Sequence, residues 1–141
     1  MFDLSKKVAI VTGASRGIGK SIAKAYARAS AHVVCVSRTE KVLSAVVGEI
    51  KKENGSASVS ACDVSDPETF TKLIKDTGDT YGSVDILINN AGVTRDSLIM
   101  RMSEDDWNTV IDTNLKGTFL SLIHISEPTR RTPISYAVFC L

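Results

Sequence analysis

The run Thr12-Gly13-Ala14-Ser15-Arg16-Gly17-Ile18-Gly19 has the composition of a phosphate cradle. It follows an apolar run, Val8-Ala9-Ile10-Val11, and opens an amphipathic stretch, Ser21 to Ala29. Glycine supplies backbone angles with φ > 0 and lets a ligand approach the chain closely. The start of the following helix offers free N–H groups and a positive dipole end to a pyrophosphate. The spacing is Gly-x-x-x-Gly-x-Gly between a first strand and a first helix. That placement points to dinucleotide binding through Gly13, Ala14, Ser15, Arg16, Gly17, Ile18 and Gly19 rather than to a plain tight turn.

Other residues extend the site. The second apolar run ends at Ser37-Arg38, where an NAD-binding unit would usually carry Asp or Glu to accept from the ribose 2′-OH. Arg38 cannot accept a hydrogen bond, but it can pair with a 2′-phosphate, and Arg16 adds a second cation. Both point to NADP(H); the bland alternative is two solvated surface arginines. Asp63-Val64 follows a third strand, and Asp63 either accepts from an adenine amino group or is a turn residue before a helix cap at Asp66. Asn89-Asn90-Ala91-Gly92 follows a fourth strand, at the carboxyl edge where open α/β sheets bind ligands. Asn90, Ala91 and Gly92 let a cofactor pass close to the backbone, while Asn89 is expected to tie neighbouring loops together. Asn114 lies on the apolar stripe of a later helix. A buried amide needs partners. It either interrupts the helix ladder and holds a water, or is satisfied by neighbouring backbone.

The elements that position these residues alternate. Strands are expected over 7–12, 32–37, 57–61 and 84–88, and helices over 17–30, 39–54 (stopped by Asn54-Gly55), 66–81 and 103–120 (capped by Ser103). Inward stripes are expected at Ile18, Ile22, Ala25, Tyr26 and Ala29, then at Val42, Leu43, Val46, Val47 and Ile50, then at Phe70, Leu73 and Ile74. The last helix should turn Trp107, Val110, Ile111, Asn114 and Leu115 to one side. Strand and helix alternating with short connections indicate an α/β fold, a doubly wound parallel sheet of order 3-2-1-4.

Composition sets outer limits. A chain of 141 residues with 43% apolar and 23% charged residues is of one-domain size. A net charge of +1 predicts no general attraction to nucleic acid or to an acidic membrane surface. No apolar run is of membrane-spanning length, and no signal-peptide core opens the chain. Cys35, Cys62 and Cys140 stand singly without metal-ligand spacing, so buried free thiols and a reducing cytoplasmic (or organellar) compartment are expected.

Together these motifs resemble the short-chain dehydrogenase/reductase family, matching at 12–19, Asp63-Val64, 89–92 and Asn114-Leu115-Lys116-Gly117. The stretch from Gly92 to Met102 (Gly-Val-Thr-Arg-Asp-Ser-Leu-Ile-Met-Arg-Met) and Trp107 narrow the likeness to 3-oxoacyl-[acyl-carrier-protein] reductases. The resemblance implies a Rossmann-like fold and NADPH-dependent reduction of a 3-oxoacyl (β-keto) thioester on an acyl-carrier protein. It gives the glycine turn to the pyrophosphate, the position of Arg38 to the ribose phosphate, and Asp63 and Val64 to the adenine. Asn90, Ala91 and Gly92 then line the cofactor path, and Asn114 supports a proton-relay water. It further implies a homo-oligomer in which the Asn114 helix belongs to a dimer interface. The family's Ser and Tyr-x-x-x-Lys are absent: Tyr136 is followed four positions later by Cys140, and no lysine follows Lys116.

Residues 1–120 are therefore expected to be an NADP(H)-binding Rossmann portion that is catalytically inactive alone. Residues 121–141 are expected to be a disordered or loosely packed tail outside the family pattern. Pro128 and Pro133 exclude a continuous helix there, Ser135 and Tyr136 are not a catalytic pair, and His124 reads as a tail residue. This tail resembles the conceptual translation of a synthetic sequencing adapter. Sequencing the source gene across residue 120 checks that. The fourth strand should then be an apolar unpaired edge, with low solubility as the consequence; Ile134 to Leu141 is β-prone and able to pair loosely, but nothing specifies a register for it. The alternative reading is a non-catalytic nucleotide-binding or partner-binding module.

Overall fold

A computed structural model describes residues 2–125 and 136–139. Short β-branched runs without helical phase become the strands. They are β1 (Val8–Thr12), β2 (His32–Ser37), β3 (Ser56–Ala61), β4 (Ile86–Asn89) and β5 (Tyr136–Phe139). Helices α1 (Gly17–Arg28), α2 (Glu40–Lys52) and α3 (Pro67–Tyr81) fill the connections. After β4 come a 3₁₀ turn at Ile99–Arg101, α4 (Glu104–Val110), a π-helical segment at Ile111–Lys116 and α5 (Gly117–Ile125).

The sheet is parallel in the order β3-β2-β1-β4-β5, so the expected 3-2-1-4 arrangement is present. Successive strand residues face opposite sides, and both sides are covered. Ala9, Val11, Val33, Cys35, Ile86 and Ile88 pack against Ala23, Ala27, Leu43, Val46, Val47 and Ile50 of α1 and α2. Val8, Ile10, Val34, Val36 and Leu87 pack against Phe70, Leu73 and Ile74 of α3. Every residue of β1 is buried, which makes it the centre of the molecule.

Local signals set the helix ends. Asp66 caps α3 by accepting from the Glu68 N–H at 3.1 Å, with Pro67 in the first turn. Ser103 caps α4 by accepting from the Asp106 N–H at 3.1 Å. After α2, Asn54 turns left-handed at φ 61° and Gly55 N–H bonds back to Ile50 O at 2.9 Å.

Several expectations are corrected. The fourth strand is not a bare edge, because β5 pairs with it in parallel, from Ile86 opposite Tyr136 to Asn89 opposite Phe139. Its start also lies two residues later than the apolar run suggested, at Ile86. In α1 the buried stripe is Gly19, Ala23 and Ala27; Ala25 is exposed and Ile18 is 68% exposed. Small residues let this helix lie close on the sheet, and Ile22 and Tyr26 are half-buried against the same core, as expected. Val42 is exposed at the rim of α2. The last helix is interrupted by the π segment, and Trp107 and Leu115 are 59% and 60% exposed. A π turn shifts the phase of the side chains within and after it, so a 3.6-residue stripe fails at Leu115; Trp107 precedes it, and its exposure has another cause. Expectations for 126–135, Cys140 and Leu141 lie outside the described residues.

Candidate functional site

The glycine turn lies at the carboxyl end of β1, where the chain must reverse into α1. Gly13 and Gly17 take positive φ, 65° and 55°. Space adds a second demand at Gly13: a methyl there would lie 2.9 Å from Ala91 Cα and 3.0 Å from Asn90 Nδ2. At Gly19 a methyl would collide with the Gly13 carbonyl and the Asn90 amide. Between them, extended Arg16 precedes α1 without a capping side chain, so no side chain claims the helix's first N–H groups.

Beneath the turn is a polar lock. Thr12, 2% exposed, donates its hydroxyl to Ile88 O at 3.1 Å and accepts from the N–H groups of Asn90 and Ala91, both at 3.0 Å. The Asn90 amide donates to Thr12 O at 3.2 Å and Gly13 O at 3.3 Å. These bonds fasten the end of β4 to the end of β1. Asn90 thus ties the two loops, and Asn89, for which that role was expected, is buried beside it at the strand end.

A cleft of about 340 Å³ opens above this lock. Gly13, Ser15, Arg16, Gly17, Ile18, Arg38, Asp63, Val64, Asn90, Ala91 and Gly92 line it. Three expected site residues do not. Ala14 is buried, its N–H donating to Val36 O, and Gly19 lies under the floor. Asn114 stands behind the wall, with its Oδ1 accepting from Val93 N–H at 2.8 Å and its Nδ2 donating to Val93 O at 3.0 Å. Of the two alternatives for Asn114, the backbone satisfies the amide, and the helix ladder is also interrupted around it.

Charge is arranged across the cleft. Among the described residues neither Arg16 nor Arg38 has a carboxylate within ion-pair distance. Asp63 accepts from the Ser65 N–H at 2.9 Å and the Ser65 hydroxyl at 2.7 Å, so it is a turn residue that also faces the cleft. Burial opposes its charge, but the two Ser65 bonds and the Arg38 field outweigh that and hold the carboxyl below its ordinary range. It is an acceptor at neutral pH.

Sequence reasoning missed four lining residues, Ser37, Cys62, Val93 and Thr113. Each neighbours a residue that was identified, so motif edges were the available signal. Burial raises the Cys62 thiol above its ordinary value, which keeps it protonated. Among the described residues no group of His, Cys, Asp and Glu is placed to hold a metal ion.

A parallel sheet with a glycine turn and a cleft at its carboxyl edge defines a Rossmann-like α/β unit. The chain belongs to the short chain dehydrogenase family, which matches residues 7–128. That match continues past residue 120, where the motifs had suggested the family pattern stops. The chain is 43% identical over 128 residues to a 3-oxoacyl-[acyl-carrier-protein] reductase of Synechocystis sp., covering 90% of this chain and 52% of that protein. It is 46% identical over 114 residues to the reductase of the same name from Staphylococcus aureus, covering 80% and 46%. It thus spans about half the length of the curated relatives it matches. Among solved structures it is similar to a metagenomic short-chain oxidoreductase in complex with NADP, at TM-score 0.83 and 38% identity, covering 86% of this chain and 55% of that one. A short-chain type dehydrogenase/reductase from Mycobacterium marinum aligns at TM-score 0.84 and 36% identity, covering 87% and 50%.

Proposed function

We propose that this chain is the NADP(H)-binding half of a short-chain reductase that converts a 3-oxoacyl thioester, carried on an acyl-carrier protein, to its 3-hydroxyacyl form. The observation that carries the cofactor reading is the pairing of two cations, Arg16 and Arg38, with a glycine floor that a single methyl would fill. Gly13, Ser15 and Gly17 bind the pyrophosphate with the uncapped start of α1. Arg38, aided by Arg16, holds the ribose 2′-phosphate. Asp63 accepts from the adenine amino group while Val64 covers the ring. Asn90, Ala91 and Gly92 border the path toward the reacting end. Bound NADPH supplies a hydride for the substrate carbonyl carbon.

Asn114 has both amide atoms engaged by Val93, so its part in a proton relay is to hold the β4 loop and the widened helix turn in place. This stretch of sequence contains no Tyr-x-x-x-Lys, so by itself it does not turn over substrate. The likeness to reductases named for an acyl-carrier protein supports the substrate class. Two buried free thiols, Cys35 and Cys62, suit a reducing cytoplasm. One observation favours the alternative, a partner-binding module: Trp107, Leu115 and Phe119 are all more than half exposed on the last helices. Such a module would co-purify with a full-length relative and leave NADPH unbound.

Fluorescence titration with NADPH and NADH tests the cofactor reading. The wild-type chain is expected to prefer NADPH. Arg38→Ala is expected to weaken NADPH by about 10- to 100-fold, the worth of a charge-assisted phosphate contact, and to leave NADH unchanged. Equal affinity of the wild-type chain for both nucleotides overturns the reading.

A further inference from the structure

The helical segment after β4 touches both rims of the cleft. Asn114, inside the π segment, exchanges two hydrogen bonds with the Val93 backbone on the β4 side. Three residues later Gly117 is buried against the other rim. A methyl placed on it would stand 3.0 Å from Val64 Cγ2, 3.1 Å from the Val64 carbonyl oxygen and 3.4 Å from the carbonyl carbon. Thr113, one residue before Asn114, lines the cleft between the two rims.

Glycine is a poor choice for a helix interior, so its presence needs a reason. Gly48 in α2 and Gly78 in α3 offer a contrast, because a methyl on either meets nothing within 4 Å. At Gly117 the close approach of two backbones is the reason. The Val64 rim has little slack: Val64 is 8% exposed and its neighbour Asp63 is bound to Ser65. Phase matters as well. A residue turns an α-helix by about 100°, so regular α geometry across 111–116 would aim Gly117 away from Val64.

We infer that Gly117 is a positioning residue for the adenine end of the cleft: lacking a side chain, it lets the helix seat on Val64 and so fixes the spacing between the Val64 rim and the Val93 rim. The inference rests on the nucleotide-binding reading above. Gly117→Ala forces Val64 and Asp63 outward by a few tenths of an ångström while favouring the helix itself.

Affinities for NADPH and for its adenine half, 2′,5′-ADP, are measured by titration alongside thermal melts. Gly117→Ala is expected to weaken both nucleotides by the same factor, about tenfold, with no fall in melting temperature. Gly48→Ala and Gly78→Ala are expected to leave both affinities unchanged. In a Val64→Ala background, which removes the nearest atom, the same Gly117→Ala change is expected to cost less. Unchanged affinity in Gly117→Ala, or an equal loss in both backgrounds, overturns the inference and leaves the cofactor reading standing. Failure of the wild-type chain to bind either nucleotide overturns both.

Discussion

Replacing Thr12 with valine isolates the lock beneath the glycine turn. The two side chains have nearly the same shape, so packing at this 2% exposed site is kept and only the hydroxyl is lost. That hydroxyl serves three partners, Ile88 O, Asn90 N–H and Ala91 N–H, at 3.0 to 3.1 Å. Asn90 and Ala91 are only partly buried, so their amides can turn toward water at reduced cost. Ile88 is 1% exposed, and its carbonyl loses the hydroxyl while keeping the Asn90 N–H at 3.1 Å. Losing the bonds and leaving polar groups short of partners is expected to cost about 2–4 kcal/mol. At about 3 °C per kcal/mol for a chain of this size, the melting temperature falls by about 6–12 °C. Urea denaturation followed by circular dichroism gives the free energy directly. Thr12→Ser keeps the hydroxyl and removes one methyl, which costs about 1 kcal/mol. The serine variant must therefore be the more stable of the two. A valine variant as stable as the wild type, or less harmful than serine, refutes the reasoning that this hydroxyl fastens β4 to β1.

Other outcomes follow from the same structure. Gly19→Ala drives a methyl into the Gly13 carbonyl and is expected to lower NADPH affinity by about tenfold to a hundredfold, read by titration. Asp85 is opposed by burial, but bonds from the Val8 N–H and the Ser83 hydroxyl, with Lys7 nearby, depress its carboxyl below its ordinary value of 3.8. Its contribution is therefore complete above that value and lost as pH falls through the lower folded value, so Asp85→Asn should flatten the acid limb of stability against pH. His32, whose ring nitrogens meet the Ser56 and Ser58 hydroxyls at 2.6 and 3.1 Å, is depressed below 6.5 first by burial and then by Lys51. The folded state thus resists protonation, and stability rises with pH up to about 6.5; Lys51→Glu should raise the His32 midpoint in an NMR titration, and an unmoved midpoint excludes the Lys51 contribution.

Much of this protein could be read along the chain because its signals are local. The glycine turn, the Asp66 and Ser103 caps and the Asn54-Gly55 stop each act over a few residues, and each is found where the residues indicated. Arg38 at a strand end and Asp63 after a turn reach the cleft because parallel strands deliver their carboxyl ends to one edge. Roles that depend on another element were legible only in part. Asn90 lines the cleft as its motif indicates, and its amide also holds the glycine turn from 77 residues away. Ile18 fitted a helical stripe, yet it flanks the cleft because Gly19 and the alanines take the sheet-facing side.

The sequence by itself determined the alternation of strands and helices, the glycine turn after β1 and the sign of the charge beside it. Periodicity, capping chemistry and glycine's conformational range act on near neighbours and need no fold to be recognised. Tertiary structure alone decided that β5 covers β4, that Asn114 spends its amide on Val93, and that Gly117 is seated on Val64. Each of these pairs residues at least 21 positions apart or depends on the phase shift of a π turn, and no local pattern encodes which backbone will be waiting at the other end.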